Sequence, residues 1–171
     1  MTERAVIYRP PQSGTTLKIA TGQYLVDKAT GEETAGTYTL YEVTSMSNAG
    51  PKLHRHDWEE AFYVLEGLYE FSYIGDNGEV QRMTAEPGAV VIIPAGQWHA
   101  FKNARTGRSR MLSLNQPVGL EPFFRHVGRV CDPEATETRS EPISGTAYER
   151  ALVDFGIEEY DPAKHSDNKG G

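Results

Sequence analysis

Apolar and polar residues alternate in short runs over the first two thirds of the chain, and a turn signal follows nearly every run. Residues 37–46 (Thr-Tyr-Thr-Leu-Tyr-Glu-Val-Thr-Ser-Met) are rich in β-branched and aromatic side chains and predict a strand. The same reasoning predicts strands over residues 60–65, 68–74, 79–84, 89–93, 99–102 and 110–115. Residues 17–26 have strand character interrupted by Gly22, and a short strand is expected at residues 5–8. The breaks carry turn chemistry. Asn77-Gly78 is a strong hairpin signal, Gly67 supplies positive φ for a tight turn, and Ile93-Pro94-Ala95-Gly96 fits a type I turn. Residues 27–36 read as a turn-rich loop. So many short strands predict an all-β sandwich or barrel. After Pro117 the pattern changes. Residues 120–127 and 146–155 read as helices, the second with a C-cap at Gly156. Between them, residues 132–144 are polar and proline-punctuated. The charged tail, residues 161–171, is expected to fray. The chain therefore divides into an N-terminal arm with strands (1–36), an antiparallel β-barrel (37–116) and a C-terminal extension with short helices and a flexible tail (117–171).

A chain of 171 residues is long enough for one domain with a sizeable core. Its net charge of -7 leaves no basic excess to neutralise phosphates. That argues against nucleic acid or an anionic membrane as the main partner. A single cysteine, Cys131, rules out an internal disulfide and fits a reducing compartment. The first residues lead into no apolar signal region, and no run approaches the ~18 apolar residues that span a bilayer. A cytoplasmic protein is expected.

Chemistry concentrates in two stretches. The first is His54-Arg55-His56-Asp57-Trp58-Glu59-Glu60, closing at Gly67; the second runs from Gly88 through Pro94-Ala95-Gly96 to His99 and Asn103. Side chains alternate faces along a strand, so His54 and His56 project the same way. Glu60 shares their parity, unless a bend at residues 57–59 resets it. The turn at Pro94–Gly96 should bring His99 near them. Three imidazoles and one carboxylate suit Fe, Mn, Ni, Co, Cu or Zn, not Ca or Mg.

The two stretches, His-x-His, Glu60 and Gly67, then Gly88, Pro94-x-Gly96, His99 and Asn103, resemble the paired motifs of the cupin superfamily. One position departs from the pattern: Asn48 stands where the family usually has glycine, with Gly50 two residues on. The resemblance implies a jelly-roll β-barrel with one divalent transition metal near its mouth, held by His54, His56, Glu60 and His99. It implies a small-molecule substrate at open coordination positions and a homodimer, with residues 1–26 as the candidate interface. Among cupins, the chain resembles the single-domain quercetinase-like dioxygenases, which carry the same His-x-His, Glu and His set. That points to dioxygen as co-substrate and Glu60 as both ligand and general base. Non-oxidative isomerase, decarboxylase or lyase chemistry, and non-catalytic ligand binding, stay open as alternatives.

Other residues are placed by parity. Phe62 and Val64 follow Glu60, and Phe101 follows His99, so all three face inward as substrate wall or as core. Trp58 lies in the bend, where it caps the pocket mouth or packs beside it. Trp98 should point away from His99's face. Gln97 has the parity to bond a ligand imidazole or to serve as a polar turn residue. Lys52, on His54's face, meets an anionic substrate or simply solvent. His126, His165 and Cys131 are assigned no role in the site.

Overall fold

The computed structural model describes residues 5–131 and 141–165. Along the chain come strands β1 (Thr16–Ile19), β2 (Gln23–Ala29), β3 (Thr39–Ser45), β4 (His54–Arg55), β5 (Glu59–Glu66), β6 (Tyr69–Ile74), β7 (Val80–Ala85), β8 (Val90–Ile93), β9 (His99–Asn103) and β10 (Ser109–Gln116). There follow helix α1 (Leu120–Val127), β11 (Arg129–Val130), α2 (Thr146–Asp154), β12 (Glu158–Glu159) and the single turn α3 (Pro162–His165).

The strands form two antiparallel sheets. One has the order β11-β1-β2-β3-β10-β5-β8 and the other β12-β4-β9-β6-β7. This is the expected jelly roll, with the core between the sheets. Alternation carries it: every second residue of β3 and β10 is buried, from Thr39 to Ser45 and from Ser109 to Asn115. Phe62, Val64, Tyr69, Phe71 and Met111 are at most 1% exposed. Each contributes ~1.5–3 kcal/mol by leaving water. The rings of Phe62, Phe71 and Phe101 stand 5.2–5.7 Å apart and fill the barrel's middle.

Turn chemistry places the breaks where the sequence predicts them. Gly22, at φ 77°, separates β1 from β2. The Asn77-Gly78 pair lies in the loop from β6 to β7, closed by Gly75 N–H to the Glu79 carbonyl at 2.9 Å. The helices fall as expected, and Gly156 ends the second at φ 72°.

Three features differ from expectation. Residues 5–8 form no strand, and Val6, Ile7 and Tyr8 lie exposed. β2 continues to Ala29, into the expected loop. The C-terminal extension adds β11 and β12 to the sheets. Each is two residues long, too short to leave a period in the sequence. Most of the polar segment 132–144 and of the expected fraying tail lies outside the described residues. Among those described, no helix is long and apolar enough to cross a membrane.

Candidate metal centre

The bend at Asp57–Trp58 carries the chain from one sheet to the other. His54 and His56 therefore approach from the five-stranded side, and Glu60 from β5 in the seven-stranded sheet. The site lies between the layers instead of along one strand face. His99, on β9, is the register partner of His54. The two motifs are also joined by backbone: the Gly96 N–H, at the end of the predicted turn, donates to the His56 carbonyl at 2.7 Å.

The four residues His54, His56, Glu60 and His99 are all buried, and one donor atom from each lies within 4.8 Å of the others. Donor atoms this close together are near the span that one ion bridges with ligand bonds of ~2.0–2.2 Å. Each imidazole is oriented from behind. His54 Nδ1–H donates to the Lys52 carbonyl at 2.8 Å, His56 Nδ1–H to the Trp58 carbonyl at 3.1 Å, and His99 Nδ1–H to the Gln97 carbonyl at 2.8 Å. A carbonyl can only accept, so each Nδ1 carries a proton and each Nε2 turns inward.

That tautomer decides whether a metal fits. Glu60 Oε2 lies 2.9 Å from His99 Nε2 and 3.2 Å from His56 Nε2. With both Nδ1 protons already committed, these contacts set lone pairs against a carboxylate unless positive charge lies between them. Two imidazolium protons supply such charge; one divalent cation supplies it for the whole set. Burial alone pushes the Glu60 carboxyl up, but its contacts with His56 and His99 outweigh burial and hold it at about 2. Burial, reinforced by His99 beside it, pushes His54 down to about 3. At neutral pH His54 is thus a neutral imidazole with a free lone pair, and Glu60 an anion. The donor set fits a divalent transition ion.

Beyond Glu60 and His54 opens a cavity of about 430 Å³. Phe62 and Phe101 line it as parity predicts, joined by Leu25 and Val43. Val64 does not reach it and is fully buried in the core. Trp58 does not reach it either. Its ring stacks on His56, centroids 4.3 Å apart and planes 5° from parallel. Lys52 lies at the rim, 3.1 Å from Glu159. Gln97 supports His99 through its backbone carbonyl, while its side chain donates to the Ile74 carbonyl at 2.7 Å. Trp98 packs outside, with the Arg55 guanidinium 4.6 Å above its ring and Tyr160 against its edge. Asn103 closes the second motif as a clamp, donating to the carbonyls of Ser45 and Gly107 and accepting from Ser109 Oγ at 2.7 Å. His126 lies on α1 against Phe155, away from the centre.

Sequence reasoning missed the rest of the cavity wall. Leu120, Phe123 and Phe124 of α1 line it, with Tyr148 and Leu152 of α2 and then Ile157. The apolar face of α1 gave a signal that something is covered; nothing in the sequence says what.

A two-sheet antiparallel jelly roll with a possible three-histidine, one-glutamate metal site between its layers defines a class, and the comparisons name it. Residues 41–115 match the family model described as Cupin domain. The chain carries a cupin domain. Among solved structures, it is similar to an RmlC-like cupin from Shewanella frigidimarina NCIMB 400, with TM-score 0.56 and 13% identity over 70% of this chain and 96% of that one. It is similar to KdgF from Halomonas sp., with TM-score 0.54 and 18% identity over 66% and 94%. It is also similar to an oxalate decarboxylase from Bacillus subtilis, with TM-score 0.53 and 18% identity over 60% of this chain. The chain spans about a quarter of that enzyme, 27%. No curated protein sequence matches. At these identities the likenesses establish the fold.

Proposed function

We propose that this protein is a metal-dependent cupin dioxygenase acting on a small aromatic or enolisable molecule, with His54, His56, Glu60 and His99 holding the ion. The observation that carries the reading is a buried three-histidine, one-carboxylate set opening directly on an apolar cavity of about 430 Å³. A bound divalent transition ion (Fe, Mn, Ni, Co, Cu or Zn) would supply Lewis acidity and, in its redox-active forms, a path for electrons to dioxygen.

The chain's own contribution follows from position. Phe62 and Phe101 wall the approach and exclude water, and His54 and Glu60 are the members of the set that border the cavity. An entering substrate oxygen therefore meets Glu60. Ionised at neutral pH, Glu60 can accept a hydroxyl proton. Its contacts with His56 and His99 hold it below the usual carboxylate range, so it stays an anion beside the entering oxygen. The three backbone carbonyls behind the imidazoles keep the inward Nε2 atoms in place throughout.

The test is oxygen uptake by metal-loaded protein, screened against enols, diketones and catechols. Uptake matched to substrate loss is expected. Turnover under strict anaerobiosis supports an isomerase, decarboxylase or lyase instead.

A further inference from the structure

The cavity has walls of two kinds. One is built by residues 19–25 together with the matched segment 41–115; the other comes from residues 120–159 of the C-terminal extension. That second wall is tied to the metal centre. Ile157 N–H donates to the Leu152 carbonyl at 2.8 Å, and Tyr160 N–H donates to the Leu53 carbonyl at 2.8 Å. Between them β12 pairs with β4, placing Glu159 opposite His54.

Tyr148 is the polar residue on the apolar face of this wall. Its ring meets Phe123 edge-on, centroids 5.6 Å apart, and it lines the cavity. Among the described residues its hydroxyl has no hydrogen-bond partner. Burial, and then the charge of Glu159, push the phenol up to about 12. It therefore keeps its proton at neutral pH and is available as a donor to a molecule in the cavity.

The charges lining the cavity narrow what that something is. Carboxylates come from Glu60, Glu149 and Glu159, and the cation is Lys52, which is already paired with Glu159 at 3.1 Å. Among the described residues, no arginine lines the cavity. One carboxylate of a small dicarboxylate could meet the ion, but its second charge would face Glu149 and Glu159, with no guanidinium among the described lining residues to receive it.

We propose that the C-terminal wall selects the substrate: it admits an uncharged, ring-bearing molecule, oriented by a hydrogen bond from the Tyr148 hydroxyl, and rejects small dicarboxylates. This rests on the reading of the cavity as the substrate site.

Flavone tests it, being uncharged with carbonyl and ether oxygens as acceptors. The control is 2-phenylnaphthalene, which has the same ring skeleton and neither acceptor. Dissociation constants are measured by fluorescence for wild type and Tyr148→Phe, each chelator-treated and metal-reconstituted. Oxalate binding is measured by calorimetry. The expected result is a loss of roughly threefold to tenfold for flavone in Tyr148→Phe, no change for 2-phenylnaphthalene, and no oxalate binding below millimolar concentration. Equal losses for both ring compounds, no loss for flavone, failure of flavone to bind wild type, or micromolar oxalate binding overturns the proposal. Failure of the metal reading shows separately, as protein that retains no metal on reconstitution. The flavone comparison in chelator-treated protein still decides the role of Tyr148.

Discussion

His54 and His99 stand directly opposite one another in the β4–β9 pair, their ring centroids 4.4 Å apart. β4 is two residues long, yet it is held on both sides, by β9 and by β12. The first candidate ligand is thus positioned by the second motif and by a strand contributed from the C-terminal extension.

At the second candidate ligand, the stacked pair His56–Trp58 depends on a residue of the C-terminal extension. A Cβ at Gly119 would come within 2.4 Å of the Trp58 ring. Gly119→Ala must displace that ring or the start of α1. We expect a loss of about 1–3 kcal/mol, as for overpacked cores, read by urea denaturation, together with weaker metal retention. A variant with wild-type stability and metal content would contradict the packing described for Trp58.

The departure from the cupin pattern at Asn48 resolves in the backbone. Asn48 has φ 59°, a left-handed conformation that asparagine tolerates better than most residues. Gly50 answers a different need: a Cβ there would lie 1.8 Å from the Phe101 carbonyl oxygen. Asn48→Gly should leave stability within about 0.5 kcal/mol of wild type. Gly50→Ala should cost several times more, because backbone must move. Thermal melts of the two variants compare them directly, and equal effects would count against the account.

The barrel and the grouping of His54, His56, Glu60 and His99 were legible in the sequence because they rest on local signals. Alternation fixed the strands, and Asn77-Gly78 and Pro94–Gly96 fixed turns whose partners are close along the chain. Parity alone placed Phe62 and Phe101 on the cavity side. It could not separate them from Val64, since wall and core share one face of β5. The bend at residues 57–59 hid the change of sheet between His56 and Glu60. The return of residues 157–160 to β4 was invisible, because a two-residue bridge has no period. Tyr148 was missed for the same reason: its position depends on how α2 docks, a long-range contact.

The helical wall is anchored through an ion pair whose carboxylate is buried and whose guanidinium is partly exposed. Arg125 of α1 reaches Asp27 of β2 at 2.6 Å. Burial raises the Asp27 carboxyl and Arg125 opposes that shift. Arg125→Ala would leave Asp27 buried without its cation. The expected cost is about 2 kcal/mol, below the ~3–5 for a fully buried pair because Arg125 is partly exposed. Asp27→Asn together with Arg125→Ala should recover part of it in the same denaturation assay; no recovery would argue against the pairing.

Metal-free protein should be acid-sensitive. The His54 pKa of about 3 lies below the 6.5 of an ordinary histidine. The unfolded chain therefore binds this proton first, and stability falls as pH drops from 6.5 towards 3. Glu60, at about 2 against 4.5, adds a further loss below pH 4.5. For chelator-treated protein the urea midpoint should decline between pH 7 and pH 5, less steeply in His54→Asn. An unchanged slope in that variant would show that His54 is not the buried neutral group.

The central claim is that the four side chains hold one ion, and its most direct measurement is elemental analysis of protein purified without chelator. Wild type should carry close to one transition-metal ion per chain, and correctly folded His99→Ala and Glu60→Ala should each lose most of it. Folded wild type free of metal after reconstitution, or either variant at full occupancy, would contradict the assignment.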